Sequence, residues 1–406
     1  MLNDIKQSSL NIGTLGHIDH GKTSLVRVLT NVWTDRHSES LKRNMTIKLG
    51  YADAIIKKCP NCEGPGAYTV NDKCSGCDGI PEPFMRISIL DAPGHETLMA
   101  TAIAGANIIN GILFVIAANE ACPMQQTKEH LMIINLLGLK NVIVVQSKID
   151  IVGKAKAIEH YKQIKEFIKG SVIEDAPIVP VMTNRNINID VLLSLIVNMK
   201  KPETEPDADP LMYVARSFDI NRPGARVGEM KGGVIGGTLV RGSFKVGDEI
   251  EIRPGIKTES NSKKETYKPA ITVITEISNG TEKLEKALPG GLIGLSTEID
   301  PYFTKADGLV GNVVGYPGKL PDVITSMSVA YHSLNRQDIQ EKGFAENEPL
   351  LLSVGTLTVV GYIKKAKKSK LELDLRHPIC AEQGMKMAVM RNMGQRWRLT
   401  GYAMMH

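Results

Sequence analysis

Apolar runs and helical patterns alternate along the first half of the chain. Five apolar runs of strand length are separated by stretches that have helical periodicity. The runs are Leu10–Leu15, Arg86–Leu90, Gly111–Ile116, Val142–Gln146 and Ile178–Val181, and the helical stretches are Lys22–Leu29 and about 127–137, 154–169 and 188–199. Because strands that alternate with helices pack as a covered parallel sheet, we expect an α/β domain: a mostly parallel sheet with helices on both faces.

The pattern changes after Lys201–Pro210, a segment rich in proline and acidic residues that we expect to be a linker. From Leu211 onwards, short β runs with frequent glycine replace the helical patterns. The runs include Val234–Val240, Asp248–Ile252, Ile271–Ile277, Leu350–Val354, Thr356–Val360, Leu371–Leu375 and Trp397–Leu399. A proline-marked break at Pro317–Pro321 favours two β-barrel domains over one. The expected domains are therefore 1–204, 205–319 and 320–406.

Composition and charge are those of an ordinary globular protein. The chain has 406 residues, of which 42% are hydrophobic and 23% charged. Its longest apolar run, Gly111–Ala118, is too short to span a membrane, so no membrane partner is expected. The N-terminal residues lack the apolar core of a signal sequence, so we expect a cytoplasmic protein. The formal net charge of +5 permits an RNA partner without requiring one.

A phosphate-binding motif follows the first strand. The segment Gly16–Thr23 matches GxxxxGK[ST] and lies between a predicted strand and a predicted helix, as a P-loop does. Its backbone N–H groups and the helix N-terminus favour phosphate; we expect Lys22 to contact the β- and γ-phosphates and Thr23 to ligate Mg²⁺. The expected nucleotide-binding residues are Asp19, His20, Gly21, Lys22, Thr23 and Ser24. The alternative is a glycine-rich turn that contains Lys-Thr by chance.

A second motif, DxxG, follows the strand Arg86–Leu90. Asp91 at the strand end can hold the Mg²⁺ shell, and the Gly94 N–H can sense the γ-phosphate. His95 can orient the attacking water, although a structural histidine is the alternative. Thr46, between the two motifs, can supply a second hydroxyl to Mg²⁺, as can other hydroxyl residues there. Together these features favour a GTPase switch over a generic ATPase.

The base-binding loops are expected after the fourth and fifth strands. Asp150 can accept two hydrogen bonds that guanine offers and adenine does not, while the Lys148 stem packs on the base. The usual pattern is Asn-Lys-x-Asp; here Ser147 takes the first place, and we expect its shorter side chain to link this loop less strongly to the P-loop. Met182, Thr183 and Asn184 take the place of the usual Ser-Ala-x, and the backbone N–H of Thr183 can reach guanine O6. A polar turn is the alternative.

Four cysteines form two CxxC pairs. Cys59 and Cys62 are followed after eleven residues by Cys74 and Cys77. Each pair can offer two thiolates on one tight turn, and two such turns close a tetrahedral Zn²⁺ site. Four thiolates leave no open coordination position, so we expect a structural zinc. The alternatives are a redox pair and a site that has lost its metal.

Together, these motifs resemble the gamma subunits of archaeal and eukaryotic translation initiation factor 2, a family related to elongation factor Tu. The resemblance spans essentially the whole chain. The segments that carry it are Gly16–Thr23, Trp33–His37, Met45–Asp53, Asp91–Glu96, Lys231–Gly237 and Leu352–Gly355. The cysteine insert, 59–77, combined with Lys231–Gly237 separates this family from elongation factor Tu itself.

The resemblance implies a P-loop GTPase domain followed by two β-barrels. It implies binding of initiator methionyl-tRNA in the GTP state, delivery to the small ribosomal subunit, and release after hydrolysis to GDP. It also implies a heterotrimer with an alpha subunit on the second domain and a beta subunit on the GTPase domain. Tyr51, Gly233 and Gly236 match positions near the tRNA end, and Asp19 matches a position linked to the catalytic water and a second metal. Taken without the resemblance, the glycines could be β-bulges and Tyr51 a core residue.

Two other functions fit parts of the sequence. An elongation-type factor for a special aminoacyl-tRNA, such as selenocysteinyl-tRNA, is disfavoured by the cysteine pairs, by Lys231–Gly237 and by a chain that ends soon after the second barrel. A scaffold that no longer hydrolyses GTP would explain the altered base loops, although Lys22 and Asp150 argue against it. The basic cluster Lys364–Lys370 is either a solvated hairpin turn or a contact with RNA phosphates.

Overall fold

The computed structural model describes residues 3–32, 50–91, 108–222, 224, 226, 228, 230–258, 266–334, 336, 343–394 and 396–405. The chain forms two compact units, Met1–Glu203 and Thr204–His406. The second unit contains both barrels. The domain boundaries given above stay a prediction.

The first unit is built on a seven-stranded sheet in the order β3-β2-β4-β1-β5-β6-β7. The strands are β1 (Asn11–Leu15), β2 (Gly50–Lys58), β3 (Tyr68–Thr69), β4 (Glu82–Asp91), β5 (Gly111–Ala117), β6 (Val142–Ser147) and β7 (Ile178–Pro180). β1 pairs in parallel with β4 and β5, and β5, β6 and β7 continue the parallel series. The two strands at the other edge, β2 and β3, are antiparallel, so the prediction of a mostly parallel sheet is confirmed.

Helices follow the strands of this sheet, as the sequence pattern indicates. They are α1 (Asn3–Lys6), α2 (Lys22–Thr30), α3 (Gln125–Leu137), α4 (Lys154–Ile168) and α5 (Ile189–Val197), with 3₁₀ turns at Pro65–Ala67, Ile149–Ile151 and Thr183–Arg185. α2 shows why these segments are helical: Leu25, Val26 and Leu29 are spaced to form one buried face. They pack with the buried side chains of β1, β2 and β4 in one core.

The strand β2 was missing from the sequence prediction. Its burial alternates along Gly50–Lys58, because one face packs on the core and the other carries polar side chains such as Asp53. It runs antiparallel to β4, and the cysteine insert lies in the connection between the two strands.

The second unit begins with a ring of six antiparallel strands. Its members are β8 (Leu211–Phe218), β9 (Val234–Arg241), β11 (Glu249–Thr258), β12 (Thr266–Ser278), β15 (Leu292–Thr297) and β16 (Val313–Gly315). The order is β11-β16-β8-β9-β15-β12, and pairing of β11 with β12 closes the ring. Short elements complete it: β10 (Phe244–Lys245), β13 (Lys283–Leu284), β14 (Lys286–Ala287), α6 (Pro301–Thr304) and a 3₁₀ turn, Lys305–Asp307.

The second barrel is closed by six strands in the order β17-β20-β19-β18-β21-β22. They are β17 (Val323–Ser333), β18 (Pro349–Val354), β19 (Leu357–Lys367), β20 (Lys370–Cys380), β21 (Lys386–Met393) and β22 (Arg396–Met405). Each barrel has its own apolar core, one around Phe244 and the other around Leu352 and Val389. The predicted fold class, an α/β GTPase domain followed by two β-barrels, is therefore confirmed.

Candidate functional site

The P-loop connects β1 to α2 and follows the backbone of β5 closely. Gly16 has a φ of 147°, and a Cβ atom at this position would lie 2.2 Å from the carbonyl oxygen of Val115. Only glycine fits this close approach. Lys22 is 6% exposed, and its ammonium donates hydrogen bonds to the carbonyls of Gly16 (2.9 Å) and His17 (2.8 Å). A buried cation beside the start of a helix suits a phosphate ligand.

His20 anchors the P-loop to the rest of the sheet. Its ring is 1% exposed; Nδ1 lies 3.1 Å from the Val115 carbonyl and Nε2 lies 3.1 Å from the Glu120 carboxylate. Burial lowers the pKa of His20, and the two acceptors oppose that shift. Glu120 was not predicted as a site residue, although its position just after β5 is where parallel sheets place functional side chains.

Ser147 connects the base loop to the P-loop. Its hydroxyl donates a hydrogen bond of 2.6 Å to the carbonyl of His20, and both residues are buried. Serine therefore makes one hydrogen bond between the two loops, and the expectation that it links them less strongly than asparagine would stays a prediction. The link joins residues that are 127 positions apart in the chain.

Oxygen ligands suited to Mg²⁺ meet at the end of β4. The Thr23 hydroxyl donates to one carboxylate oxygen of Asp91 (2.7 Å), and the Thr14 hydroxyl donates to the other (2.8 Å). Hydroxyl and carboxylate oxygens are ligands that Mg²⁺ prefers, so Thr23 and Asp91 fit that ion. Asp19 is exposed on the P-loop, with a left-handed φ of 59°.

The structure describes only some of the other residues that were predicted at the nucleotide site. Thr46, Gly94 and His95 lie outside the described residues. Ser24 lies in the first turn of α2, exposed, and Gly21 caps that helix with a φ of 87°.

The two base loops come together. The Asn184 side-chain amide donates a hydrogen bond of 3.0 Å to the carboxylate of Asp150, which is exposed. Thr183 begins the 3₁₀ turn after β7, and Lys148 has a left-handed φ of 56° just after β6. Both residues were predicted near the base, but their direct contact was not predicted from the sequence.

The four cysteines of the insert form one cluster. All four sulfur atoms lie within 4.8 Å of one another, and three of the separations are 3.4 Å (Cys59–Cys77), 3.6 Å (Cys62–Cys74) and 3.3 Å (Cys62–Cys77). A tetrahedral zinc with Zn–S bonds of about 2.3 Å separates its sulfurs by about 3.8 Å, so the cluster fits Zn²⁺. The pKa shifts within the cluster differ in direction: the backbone N–H of Gly76 lowers the pKa of Cys74 to about 7, burial raises the pKa of Cys59, and the neighbouring Cys77 thiol raises the pKa of Cys62. The case for zinc therefore rests on the geometry of the four sulfur atoms.

The residues predicted near the tRNA end lie on two different elements. Tyr51 is on β2, opposite Leu90 of β4. Gly233 precedes β9 and is required by packing, since a Cβ atom there would lie 2.3 Å from the Thr304 side chain. Gly236 differs: a Cβ atom would meet its nearest neighbour, Arg216, at an ordinary 3.6 Å. Packing therefore explains Gly233 but not Gly236.

Among the residues that the structure describes, no helix is long and apolar enough to cross a membrane.

Comparison with known proteins gives matches over both units. The family model "Elongation factor Tu GTP binding domain" matches residues 7–202, and "Initiation factor eIF2 gamma, C terminal" matches residues 325–405. The translation initiation factor 2 subunit gamma of Methanocaldococcus jannaschii is 50% identical over 404 residues, which cover 98% of this chain and 97% of the relative. The same subunit of Pyrococcus horikoshii is 48% identical over 403 residues, covering 98% and 97%.

Solved structures show a similar fold. A bacterial selenocysteine-specific elongation factor superposes with a TM-score of 0.74 at 23% identity, covering 98% of this chain and 58% of the other. The elongation factor SelB of Methanococcus maripaludis, in complex with a GTP analogue, gives 0.73 at 21% identity, covering 99% and 79%. At these identities the likeness concerns the fold alone.

A P-loop α/β unit of the elongation factor Tu type, followed by two β-barrels, defines a GTPase of translation. Within that class, the relatives that match along nearly the whole chain decide the family. The chain belongs to the gamma subunits of translation initiation factor 2.

Proposed function

We propose that this chain is a GTP-dependent carrier of methionylated initiator tRNA, which it delivers to the small ribosomal subunit and releases when GTP is hydrolysed. The observation that carries the proposal is the hydrogen bond between Thr23 and Asp91 (2.7 Å). These two residues would hold Mg²⁺ beside the phosphates, and Asp91 begins the DxxG segment. Because Asp91 would contact Mg²⁺ and is also the first residue of the DxxG motif, we assign the GTP-dependent switch to this site.

The proposal assigns roles to individual residues of the nucleotide site. Lys22 and the backbone of 19–24 bind the phosphates of GTP or GDP, Thr46 and Asp19 complete the magnesium site, and Gly94 senses the γ-phosphate. His95 orients the attacking water, with Asp19 as a second contributor. Asp150, Lys148 and the 183–184 turn bind guanine, and Ser147 positions their loop. Magnesium supplies charge stabilisation for the phosphates when it is bound.

Tyr51 of the first unit and Gly236 of the second unit are each proposed, from the family resemblance, to contact the methionyl-adenosine end of the tRNA. Gly236 is half-buried and has room for a Cβ atom, so its lack of a side chain suits the close approach of a ligand. The alpha subunit would dock on the first barrel, in the domain 205–319, and the beta subunit on the GTPase domain, 1–204; the second barrel would be the domain 320–406. Zinc on the four cysteines would stabilise the insert 59–77.

The test measures how well the chain protects the ester of initiator methionyl-tRNA from spontaneous hydrolysis. The reactions contain Mg²⁺, the alpha subunit and either a GTP analogue or GDP, with an elongator aminoacyl-tRNA as control. We expect protection with the GTP analogue, weaker protection with GDP and none of the elongator. Equal protection in both nucleotide states would remove the switch. No protection, with the partner present, would contradict the carrier function and favour a scaffold.

A pair of glycine variants makes this test specific for the tRNA end. Gly236→Ala should leave the melting temperature within a few degrees of wild type, since the added methyl finds ordinary contacts. Its protection of the ester should fall about tenfold, because the methyl intrudes on the surface that approaches the tRNA. Gly233→Ala, where the methyl overlaps Thr304, should instead destabilise the barrel by about 2 kcal/mol or more. Full protection by Gly236→Ala would contradict the proposed place of the methionyl end.

A further inference from the structure

A polar side chain interrupts an apolar face of the sheet in the first unit. Ile12 of β1 belongs to the core that also contains Leu25 and Leu29 of α2. Because alternate residues of a strand share a face, the next residue on that face is Thr14, which is fully buried. Valine has nearly the same shape and would bury no hydroxyl, so packing alone does not account for a threonine at this position.

The hydroxyl of Thr14 is paired with the end of β4. The two strands run in parallel, with Ile12 opposite Ile89 and Thr14 opposite Asp91. The hydroxyl donates a hydrogen bond of 2.8 Å to Oδ1 of Asp91, which is fully buried as well. A carboxylate that is removed from water needs hydrogen-bond donors on its oxygens. Thr14 supplies one such donor, and the register of the sheet fixes its position.

The other oxygen of the same carboxylate is held from the start of α2. Oδ2 of Asp91 accepts a hydrogen bond of 2.7 Å from the hydroxyl of Thr23. A hydroxyl has one proton and two lone pairs, so a Thr23 that donates its proton to Asp91 keeps its lone pairs for a cation. Two hydroxyls thus hold the two oxygens of Asp91, and rotation of the carboxylate would break at least one of these bonds. Thr14 therefore influences Thr23 through Asp91.

We propose that Thr14 is a positioning residue of the magnesium site, which fixes the Asp91 carboxylate so that Thr23 presents its oxygen to Mg²⁺. The inference rests on the magnesium site of the proposed function and adds a residue to it that acts on the metal ligands from the neighbouring strand. Removal of side chains that orient metal ligands through hydrogen bonds typically weakens metal binding by about 10- to 100-fold. Without the Thr14 hydroxyl, Mg²⁺ would have to order the Asp91 carboxylate as it binds.

A purely structural role of Thr14 would have a different outcome. If its hydroxyl only satisfied a buried carboxylate, its loss would lower the melting temperature and leave the affinity for Mg²⁺ unchanged. If the hydroxyl positions Asp91, its loss weakens the binding of Mg²⁺. In that case the affinity for GDP in the absence of Mg²⁺ is retained, because Lys22 and the P-loop backbone are the groups proposed to bind the phosphates directly.

The experiment measures the affinity of the full chain for a fluorescent GDP analogue over a range of Mg²⁺ concentrations and in EDTA. Two variants remove the hydroxyl, Thr14→Val with the shape kept and Thr14→Ala with a smaller side chain, and Thr14→Ser retains it. The matched control is Thr127→Val on α3. Thr127 is equally buried, and its hydroxyl has no hydrogen-bond partner among the residues that the structure describes. Melting temperatures are recorded in EDTA.

We expect the Mg²⁺ concentration at half-maximal GDP affinity to rise about tenfold in Thr14→Val and Thr14→Ala, while the GDP affinity in EDTA stays within about twofold of wild type. Thr14→Ser should recover most of the Mg²⁺ affinity, and Thr127→Val should match wild type. An unchanged Mg²⁺ midpoint in a folded variant without the hydroxyl, or an equal shift in Thr127→Val, would overturn the inference and leave the magnesium site standing. A wild-type GDP affinity that does not respond to Mg²⁺ would overturn both.

Discussion

The P-loop and the cysteine cluster are both glycine-containing loops next to the same sheet, but they are held in different ways. The P-loop is fixed by the protein itself: the His20 ring contacts Val115 and Glu120, and Ser147 donates to the His20 carbonyl. In the cysteine insert, residues 71–78 are exposed apart from the half-buried sulfur-bearing residues Cys74 and Cys77. Besides the ion pair of Asp72 with Lys57 of β2 and the hydrogen bond from the Asn71 N–H to the Thr69 hydroxyl, that turn is held by its two cysteines.

From this difference we infer that the P-loop is preorganised for its nucleotide, whereas the second cysteine turn needs its metal in order to form. Hydrogen bonds between distant segments keep the phosphate loop in place without nucleotide. The second cysteine turn has no buried apolar side chain among residues 71–78, so burial contributes little to its order. Loss of nucleotide should therefore leave the P-loop folded, whereas loss of metal should disorder the second cysteine turn, residues 71–78.

The largest effect should come from Lys22→Ala, which removes the buried ammonium from the P-loop. We expect GTP and GDP affinities to fall about a thousandfold or more, since a charged contact to phosphate is lost. The zinc content should not change, because the cysteine turns do not contact the P-loop lysine. Titration with a fluorescent GDP analogue measures the first quantity and elemental analysis the second.

Lys162→Ala, on the exposed face of α4, is the matched control for that variant. Its nucleotide affinity should equal that of wild type. An unchanged GTP affinity in Lys22→Ala would contradict the assignment of the P-loop, whatever happened to the zinc.

The next effect concerns the metal. We expect about one zinc per chain, and none in Cys62→Ser/Cys74→Ser, because a tetrahedral site does not survive the loss of two of its four thiolates. Amide hydrogen exchange should then rise in residues 71–79 and stay low in β1 and β5. The affinity for GDP should remain within about threefold of wild type. Metal-free wild-type protein with a protected insert would refute the zinc site, and a large loss of GDP affinity would break the contrast between the two loops.

How much of the fold and of the site could be predicted from the sequence depends on how far apart in the chain the interacting residues are. Strands buried on both faces, such as β5, were predicted because continuous apolar runs are a local signal. Strand β2 was missed, although Ala52, Ala54 and Ile56 alternate with more exposed residues in the pattern of a half-buried strand.

The links within the nucleotide site could not be predicted in the same way. GxxxxGK[ST] and CxxC are spacing patterns, so their ligand atoms could be named from the sequence. The contacts of His20 with Glu120 and of Ser147 with the His20 carbonyl join segments about a hundred residues apart and depend on backbone position. Nothing local in the sequence encodes which carbonyl the Ser147 hydroxyl will reach.

Lowering the pH should moderately destabilise the part of the first unit beside the P-loop, independently of the cysteine insert. His130 of α3 is fully buried, neither ring nitrogen has a hydrogen-bond partner among the residues that the structure describes, and burial lowers its pKa to about 3. Between about pH 6.5 and 3 the unfolded chain takes up a proton that the folded chain refuses, so this group makes stability fall as pH falls. At pH 5 the loss should be about 2 kcal/mol relative to neutral pH.

The matched variant for this effect is His130→Leu, which cannot be protonated. Unfolding by urea is monitored through hydrogen exchange of β5 and α3, at pH 7.5 and at pH 5, with excess zinc. The stability lost between the two pH values should be about 2 kcal/mol smaller in the variant than in wild type. Because the variant keeps all other titrating groups, zinc loss from the insert affects both proteins alike. Equal acid sensitivity of the two proteins would show that His130 takes up its proton without unfolding.

The smallest effect should come from Ser147→Ala, which tests whether preorganisation of the P-loop matters for binding. The variant leaves the buried His20 carbonyl without the hydroxyl that donates to it at 2.6 Å, so we expect GDP affinity to fall about tenfold, mainly through faster dissociation. Ser147→Thr keeps the hydroxyl and should recover most of the affinity. Zinc content and protection of the insert should be unchanged in both. If Ser147→Ala binds GDP as tightly as wild type, the hydrogen bond does not contribute to the nucleotide site, and the contrast between a preorganised loop and a metal-dependent one would rest on His20 and Glu120 alone.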